Sequence, residues 1–535
     1  MKKLFLISLF LLLAVVMVVT SCGEATTTPA ATQPTATTPT TTTAPTPVKI
    51  EPTGTLTVAT ADFVYESVDP IFFESFWGFA LYDTIISTDE KGNYIGRVAE
   101  TWELSPDGLT WTFHVRHGIK FHNGDPLTAN DIEFSIGRLM SPESTNSWSP
   151  MLINNFDSMS VPDDYTFIFK TKTSEPPLAS VFAAVRILPK NYFNQVGQDE
   201  FRKHPIGSGS WKFVSYVPET SFTMEAFTES WRQVPAFKFF VDLQVPEEAT
   251  RIAMLKNGEV DIALSISIDR VVDLQAEGFK AETSGFPNIL TLTIPGTWIT
   301  DGPMKDIRIR KALSYAINRQ ELCDVFYRGK ADPRCMWFFS PGSWGWSDSF
   351  KTDPYDPSMA RQLLADAGYP AAYDNPVISL KTEVVNVEVM QILQGYWADV
   401  GLQVDVQPTD GAEWAGLYFT PIEAAPAKSG VIFPWIWGSF AVGVYPSRNM
   451  YVTGGNHGAG NDPEADRLFT KATTELDPAK AMQYWTDFQV YVKEMYVNIG
   501  VCAIENLFLM GPRVGEIDAN LSEGIYYFSS GIQHP

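Results

Sequence analysis

The chain has 535 residues, of which 45% are hydrophobic and 13% aromatic, and its formal net charge is −23. This length exceeds the usual size of a single domain, so two or three lobes are expected. The acidity argues against nucleic acid or an anionic lipid surface as a partner. No apolar run beyond residue 22 is long enough to span a membrane.

The first 22 residues have the pattern of a bacterial export signal. Lys2 and Lys3 precede an apolar run over residues 4–19, and small residues then lead to Cys22. A basic start, a short apolar run and small residues are typical of a secretory signal peptide. The cysteine that follows resembles the lipobox of bacterial lipoproteins, which implies cleavage after residue 21 and a diacylglycerol group on Cys22. An ordinary signal peptide or a single membrane span is the alternative.

Residues 24–49 consist almost wholly of threonine, proline and alanine. Such a segment cannot bury enough apolar surface to offset the entropy lost on ordering, and its prolines keep it extended. We therefore expect residues 22–52 to form a lipidated cysteine followed by a disordered stalk.

The body of the chain shows alternating strand and helix patterns. Residues 55–60 and 110–116 alternate apolar with polar or β-branched residues, which predicts two strands. An aromatic stretch over residues 72–82 is interpreted as a helix. Thr128 and Asp131 have the spacing of a capping box at the start of the next helix. Later, residues 397–406 follow the order helix, glycine, strand, which indicates an α/β protein.

The run AETWELSPDGLTWTFHVRHGIKFHNGDPLTANDIEFSI, residues 99–136, resembles the signature of the family 5 extracellular solute-binding proteins. These are the lipid-anchored or periplasmic receptors of oligopeptide, dipeptide and nickel ATP-binding cassette importers. Four later stretches resemble further motifs of the family in the expected order: His204–Phe213, Leu255–Asp261, Asp306–Arg319 and Tyr355–Tyr369.

The resemblance implies an α/β, two-lobed periplasmic-binding-protein fold of type II, with a hinge between the lobes and an extra inserted subdomain. Lobe I is expected to comprise residues 53–98, 205–288 and 500–535, with the subdomain at 99–204 and lobe II at 289–499. Crossing segments are expected at residues 285–291 and near 499–504. Ligand binds between the lobes and biases a two-state hinge towards closure.

Aromatic residues outside the amphipathic elements predict the walls of the cleft. Indole and phenol rings stack well on peptide side chains, sugar faces and other flat apolar ligands, although core packing is the alternative for any single tryptophan. Trp344 and Trp346 lie on a glycine-rich loop, and Trp435 and Trp437 lie at a strand end. The predicted ligand-binding residues are Phe72, Trp77, Asn288, Trp344, Trp346, Trp414, Trp435 and Trp437.

One departure from the family pattern bears on the ligand. In the oligopeptide receptors an aspartate that follows a tryptophan binds the α-ammonium group of the peptide. Residues 433–440 contain no carboxylate here, and the next one is Asp462. A buried ammonium group without a counter-charge is costly, so the sequence favours an uncharged or anionic ligand, such as an oligosaccharide or aromatic metabolite.

Neither a metal site nor a cofactor is predicted. His114, His117 and His122 lie close together, but they belong to the scaffold signature and strand alternation exposes His114. The sequence lacks a G-x-S-x-G elbow, an H-E-x-x-H motif and a Walker loop, so no enzyme is predicted. A ligand-sensing receptor for a membrane signalling partner is one alternative, and a secreted glycoside hydrolase with carboxylates far apart in sequence is another.

Three cysteines remain if Cys22 is acylated, and an odd number cannot all pair within the chain. Cys323 and Cys335 could close a short loop. The alternatives are buried free thiols or a bond between Cys502 and one of the other two.

These patterns together predict a substrate-binding lipoprotein of an ATP-binding cassette importer. We expect a monomer, anchored by lipid to the outer face of the cytoplasmic membrane in a periplasm or at a cell surface. It would capture a peptide-like, oligosaccharide or other small ligand and dock on the permease subunits of the importer.

Overall fold

The computed structural model describes most of the chain beyond the stalk. The described residues are 51–63, 67–72, 77–89, 92–283, 287–337, 339–341, 345–420, 422, 424–438, 444–455, 457–458 and 460–515. The predicted signal peptide, Cys22 and residues 24–49 of the stalk lie outside them. No helix among the described residues combines the length and apolarity needed to cross a membrane.

The strands follow this order along the chain: β1 Thr55–Thr60, β2 Ile86–Thr88, β3 Tyr94–Gly96, β4 Ala99–Leu104, β5 Thr110–Val115, β6 Phe156–Asp163, β7 Thr166–Thr171, β8 Trp211–Val217, β9 Ser221–Ala226, β10 Phe239–Gln244, β11 Ile262–Ala263, β12 Lys280–Thr283, β13 Asn288–Thr293, β14 Ala331–Asp332, β15 Ile378–Glu383, β16 Val404–Thr409, β17 Phe433–Gly438, β18 Asn498–Ile504 and β19 Leu507–Met510.

The α-helices are α1 Gly78–Leu81, α2 Ala129–Leu139, α3 Ser149–Asn155, α4 Ala179–Phe182, α5 Lys190–Val196, α6 Gln198–Lys203, α7 Glu248–Asn257, α8 Ile268–Ala276, α9 Ile307–Tyr315, α10 Arg319–Glu321, α11 Pro357–Asp366, α12 Val387–Asp399, α13 Gly411–Tyr418, α14 Val444–Tyr451, α15 Pro463–Thr474 and α16 Pro478–Lys493. The predicted helix over residues 72–82 is shorter than expected, because only α1 is helical there and residues 73–76 lie outside the described ranges.

The first sheet has the strand order β12-β19-β11-β1-β10-β9-β8. The predicted first strand, β1, lies in its middle and pairs in parallel with both β10 and β11. Leu56 and Val58 of β1 are fully buried against Trp211, Phe222 and Phe240. This sheet therefore has its own aromatic core.

The second sheet is antiparallel, with the order β4-β5-β7-β6. The predicted alternation is confirmed in β5, where Trp111, Phe113 and Val115 are buried and His114 is exposed. The capping box is confirmed as well, since the backbone N–H of Thr128 donates to Asp131 Oδ2 at 2.8 Å at the start of α2.

The third sheet has the order β14-β18-β13-β17, and β15 and β16 form a separate parallel pair. Helices α9, α11 and α12 contribute buried residues to one core with β13 and β18. The predicted order of helix, glycine and strand is confirmed, because α12 ends at Asp399, Gly401 adopts φ 95° and β16 begins at Val404.

The chain passes twice between the first and third sheets. The first passage joins β12 to β13, and the second joins β18 to β19 at Glu505–Asn506, directly after the predicted stretch 499–504. β12 pairs with β19 and β13 pairs with β18, so the strands that flank the two passages are neighbours in each sheet. Residues 284–286 of the first passage lie outside the described residues. The predicted bounds of the lobes and of the inserted subdomain stay predictions.

Cys323, Cys335 and Cys502 are free and buried. Burial raises the pKa of the Cys335 thiol to about 12 and that of the Cys502 thiol well above its ordinary value. Since reagents must reach a thiol to alkylate it and all three are buried, we expect all three to resist alkylation in the folded protein and to react after unfolding in guanidinium. Peptide mapping after iodoacetamide treatment measures this, and a disulfide-linked Cys323–Cys335 peptide would contradict it.

Candidate functional site

Five aromatic side chains meet beside the third sheet, and we call them the aromatic cluster: Trp414, Tyr418, Phe419, Trp435 and His457. The Tyr418 ring stacks on Trp435 at 4.5 Å between centroids and on Trp414 at 4.8 Å. His457 lies 4.7 Å from Tyr418 and 5.7 Å from Phe419. The structure thus brings two of the predicted ligand-binding residues, Trp414 and Trp435, to one place, with ring centroids 5.1 Å apart.

Local sequence explains how the aromatic cluster is assembled. Asp410 caps α13 by accepting a hydrogen bond from the backbone N–H of Glu413 at 2.7 Å. Trp414 and Tyr418 are then four residues apart, so their side chains share one helix face. Trp435 lies opposite Thr291 in the antiparallel pairing of β17 with β13. The spacing from Trp414 to Tyr418 was visible in the sequence and could have identified Tyr418.

The aromatic cluster holds a histidine without charge. His457 is 8% exposed, and burial lowers its pKa to about 3, with the nearby Lys428 cation acting in the same direction. Trp414 Nε1 and His457 Nδ1 are buried atoms that have no hydrogen-bond partner among the described residues. Unpaired buried polar atoms cost free energy, and both side chains are buried, with Trp414 part of a hydrophobic core.

Two predicted ligand-binding residues, Trp77 and Phe72, lie near the first sheet and not in the aromatic cluster. Trp77 is 2% exposed, its indole stacks on Phe222 at 3.9 Å, and its Nε1 donates to Asp242 Oδ2 at 2.9 Å. These contacts favour the core-packing alternative for Trp77. Phe72 lies beneath the guanidinium of Arg202, which is 4.4 Å from the ring centroid.

The remaining predicted ligand-binding residues either lie near the third sheet or fall outside the residues that the structure describes. Asn288 is the first residue of β13 and pairs with Gly438 of β17. Trp346 is half-buried, packs against the core that contains the three most buried rings of the aromatic cluster apart from His457, and donates from Nε1 to Asp348 Oδ1 at 3.2 Å. Trp344 lies outside the described residues, as does the side chain of Trp437.

A hydrogen bond joins helix α14, which follows β17 of the third sheet along the chain, to a residue that follows the second sheet. Tyr445 of α14 is 1% exposed, and its hydroxyl donates to Glu175 Oε1 at 3.2 Å. Burial raises the pKa of the Glu175 carboxyl, and hydrogen bonds from Asn155 and Tyr445 partly oppose that shift. Nothing in the local sequence indicates this contact, because its two residues are 270 positions apart.

The histidines of the signature have scaffold roles where the structure describes their contacts. His122 Nδ1 accepts from the backbone N–H of Gly207 at 3.2 Å, so its Nε2 carries the proton and donates to the carbonyl of Gly209 at 3.0 Å. Among the described residues, no group of three or more His, Cys, Asp or Glu side chains is placed to hold a metal ion.

Residues 93–461 match the model of the bacterial extracellular solute-binding proteins, family 5. The chain belongs to this family. The glutathione-binding protein GsiB from Pectobacterium atrosepticum is 28% identical to it over 358 residues, which cover 66% of this chain and 66% of GsiB. The chain therefore covers just under two thirds of the length of that relative.

Two solved structures show the fold of this family 5 protein. NikA from Brucella suis, solved with Fe(III)-EDTA, superposes with a TM-score of 0.79 at 20% identity, over 90% of this chain and 100% of NikA. CtaP, an ABC transporter substrate-binding protein from Listeria monocytogenes, gives a TM-score of 0.77 at 20% identity, over 90% and 100%. The predicted α/β, two-lobed periplasmic-binding-protein fold is confirmed, and membership of a transport-binding family confirms that the protein is not an enzyme.

Proposed function

We propose that this protein is the substrate-binding lipoprotein of an ATP-binding cassette importer, and that it captures a small solute between two lobes for delivery to a membrane permease. The observation that carries the proposal is the family 5 match over residues 93–461. The pairing of the strands that flank the two passages supports it, since neighbouring crossings suit a hinge that closes around a ligand.

The aromatic cluster is the proposed place of solute contact. Its members carry no carboxylate and its histidine is neutral, so it offers flat apolar faces and unpaired polar atoms to the ligand. These features favour an uncharged, flat group over a free ammonium group. Trp414 and Trp435 are the proposed central contacts, and Asn288, Trp344, Trp346 and Trp437 are proposed to extend the wall.

The importer role can be tested by crosslinking the full-length chain in membranes of its own host and identifying the crosslinked partners by mass spectrometry. The proposal expects membrane-spanning permease subunits, because the loaded receptor must dock on them. If the crosslinked partner is a signalling kinase, the proposed importer role is wrong and the protein is a ligand-sensing receptor. Recovery of no membrane protein at all would overturn both.

The nature of the solute can be read from native mass spectrometry of the same full-length protein. We expect an adduct that the Trp435→Ala variant loses and the Tyr355→Ala variant keeps, because Tyr355 is an exposed residue outside the aromatic cluster. An adduct held equally by both variants would show that the solute binds elsewhere.

Anchoring through Cys22 gives a separate prediction. Two acyl chains hold a protein on a bilayer where one gives only marginal binding. Cys22→Ala removes the thiol that is proposed to carry them, so the variant should incorporate no labelled palmitate. Metabolic labelling of host cells measures this, and it is independent of whether the apolar run over residues 4–19 is cleaved. Cys335→Ala, which alters a buried thiol of the body, is the control and should keep the label. A label that persists on the Cys22→Ala variant would contradict acylation of Cys22.

A further inference from the structure

Tyr445, a residue of helix α14, is buried in the core of the second sheet. Tyr445 is the second residue of α14, which follows β17 of the third sheet along the chain. Its side chain belongs to the core formed by the second sheet and its helices, and its ring meets Trp148 edge-to-face at 6.2 Å. A residue of α14, which follows β17 of the third sheet along the chain, thus forms part of the core of the second sheet.

Hydrogen bonds surround this aromatic contact. Tyr445 donates its hydroxyl proton to Glu175 Oε1 at 3.2 Å, and Asn155 Nδ2 donates to Glu175 Oε2 at 2.8 Å. Beside them, Ser174 Oγ donates to the carbonyl of Thr474, the last residue of α15, at 3.3 Å. Ser174 and Glu175 are adjacent in the chain, and they form hydrogen bonds to α15 and α14 respectively.

We propose that Tyr445 and Glu175 form a clasp that holds the second and third sheets together in the closed arrangement. Within the described residues, the two crossings of the chain join the first and third sheets, so the clasp is a non-covalent contact that opening of the cleft would break. Breaking it exposes a buried tyrosine ring and a half-buried carboxylate. Closure thus depends on a contact that the solute itself does not supply.

The clasp is also linked to the aromatic cluster through the chain. Trp435 lies on β17, and α14 begins six residues after that strand ends. Residues 439–443, which connect the two elements along the chain, lie outside the described residues. This inference takes its biological meaning from the proposed solute capture, but its test needs no solute.

Glu175 makes the clasp sensitive to pH. The groups that face it are Asn155 from α3, Tyr445 and Arg448 from α14, and, through Tyr445, Tyr94 from β3. Burial raises the pKa of Glu175 in the clasp, and an exposed glutamate in the open form has an ordinary pKa. The clasped form therefore binds the proton more tightly, so the clasp strengthens as pH falls and weakens as pH rises through the raised pKa.

Hydrogen–deuterium exchange of the full-length, ligand-free chain tests the clasp. The reporters are the amides of Thr173 and Leu178, which donate to Asn155 Oδ1 at 2.9 Å and to the Glu175 carbonyl at 3.0 Å. We expect Tyr445→Ala to raise exchange in the peptides that hold these amides by at least about tenfold, the loss expected for a buried contact of this kind. Exchange in β1 should stay unchanged, and Tyr355→Ala, which alters an exposed tyrosine, should have no effect.

Two milder variants keep the inference falsifiable if Tyr445→Ala unfolds. Tyr445→Phe retains the ring and removes the hydroxyl, and it should raise exchange of the Thr173 and Leu178 peptides about threefold to tenfold. Glu175→Gln removes the titrating group, so the difference in exchange between acidic and neutral pH, corrected for intrinsic rates, should vanish at these peptides. Unchanged exchange in Tyr445→Phe, or an unchanged pH difference in Glu175→Gln, overturns the clasp. A failed clasp leaves the crosslinking test of the importer role unaffected.

Discussion

Replacement of Asp69 by alanine is expected to lower the free energy of unfolding by about 3–5 kcal/mol, because it leaves a buried cation without its partner. The Asp69 side chain is fully buried and accepts two hydrogen bonds from Arg138, at 2.7 and 3.0 Å. Arg138 is itself only 11% exposed, and without the carboxylate it would keep its hydrogen bond to Gln198 Oε1 at 3.1 Å but no anion as direct partner. Urea unfolding followed by circular dichroism measures the change.

Asp199→Ala is the matched control, since Asp199 also pairs with an arginine but is 94% exposed. Exposed ion pairs of this kind contribute about 0–1 kcal/mol, so the variant should unfold at nearly the wild-type urea concentration. Equal losses in Asp69→Ala and Asp199→Ala would show that the buried position of Asp69 has no special importance.

Acidification is expected to destabilise the protein through His457. The folded state lowers the pKa of this imidazole from an ordinary value of 6.5 to about 3. The unfolded chain therefore binds the proton more tightly, so this contribution to stability is complete above 6.5 and is lost as pH falls towards the folded pKa. Between about pH 7.5 and about pH 5 the loss should be on the order of 2 kcal/mol.

His457→Gln removes the titrating ring, so its free energy of unfolding should fall less than that of the wild type over the same pH interval. Urea unfolding at both pH values gives the comparison. His204→Gln is the control, because the His204 side chain is 64% exposed, and it should retain the wild-type pH dependence. A His457→Gln variant as acid-sensitive as the wild type would place the sensitivity in other groups.

The elements that the sequence predicted well are those fixed by short-range chemistry. Alternation in β5 and the capping box before α2 depend on neighbouring residues, and both are confirmed. The glycines of the stretch 204–213 have a clear reason as well. A Cβ atom on Gly207 would lie 1.9 Å from the carbonyl oxygen of Leu81, so only glycine allows this approach.

The features that escaped prediction depend on contacts between distant residues. Trp77 and Trp435 look alike in sequence, yet Trp77 packs against the first sheet and Trp435 lies in the aromatic cluster. His457 joins that cluster only through the tertiary fold, and the bond from Tyr445 to Glu175 spans 270 residues. Local periodicity reports which face of an element is apolar, but not which other element covers that face.

The place of β19 in the first sheet has a consequence for how this protein is made. This strand, Leu507–Met510, lies between β11 and β12 and is among the last described residues of the chain, whereas β1 in the same sheet is among the first. The sheet cannot be completed until the C-terminal region has been synthesised, and contacts this far apart in sequence form slowly. A nascent chain therefore reaches its finished first sheet only after β19 has been synthesised.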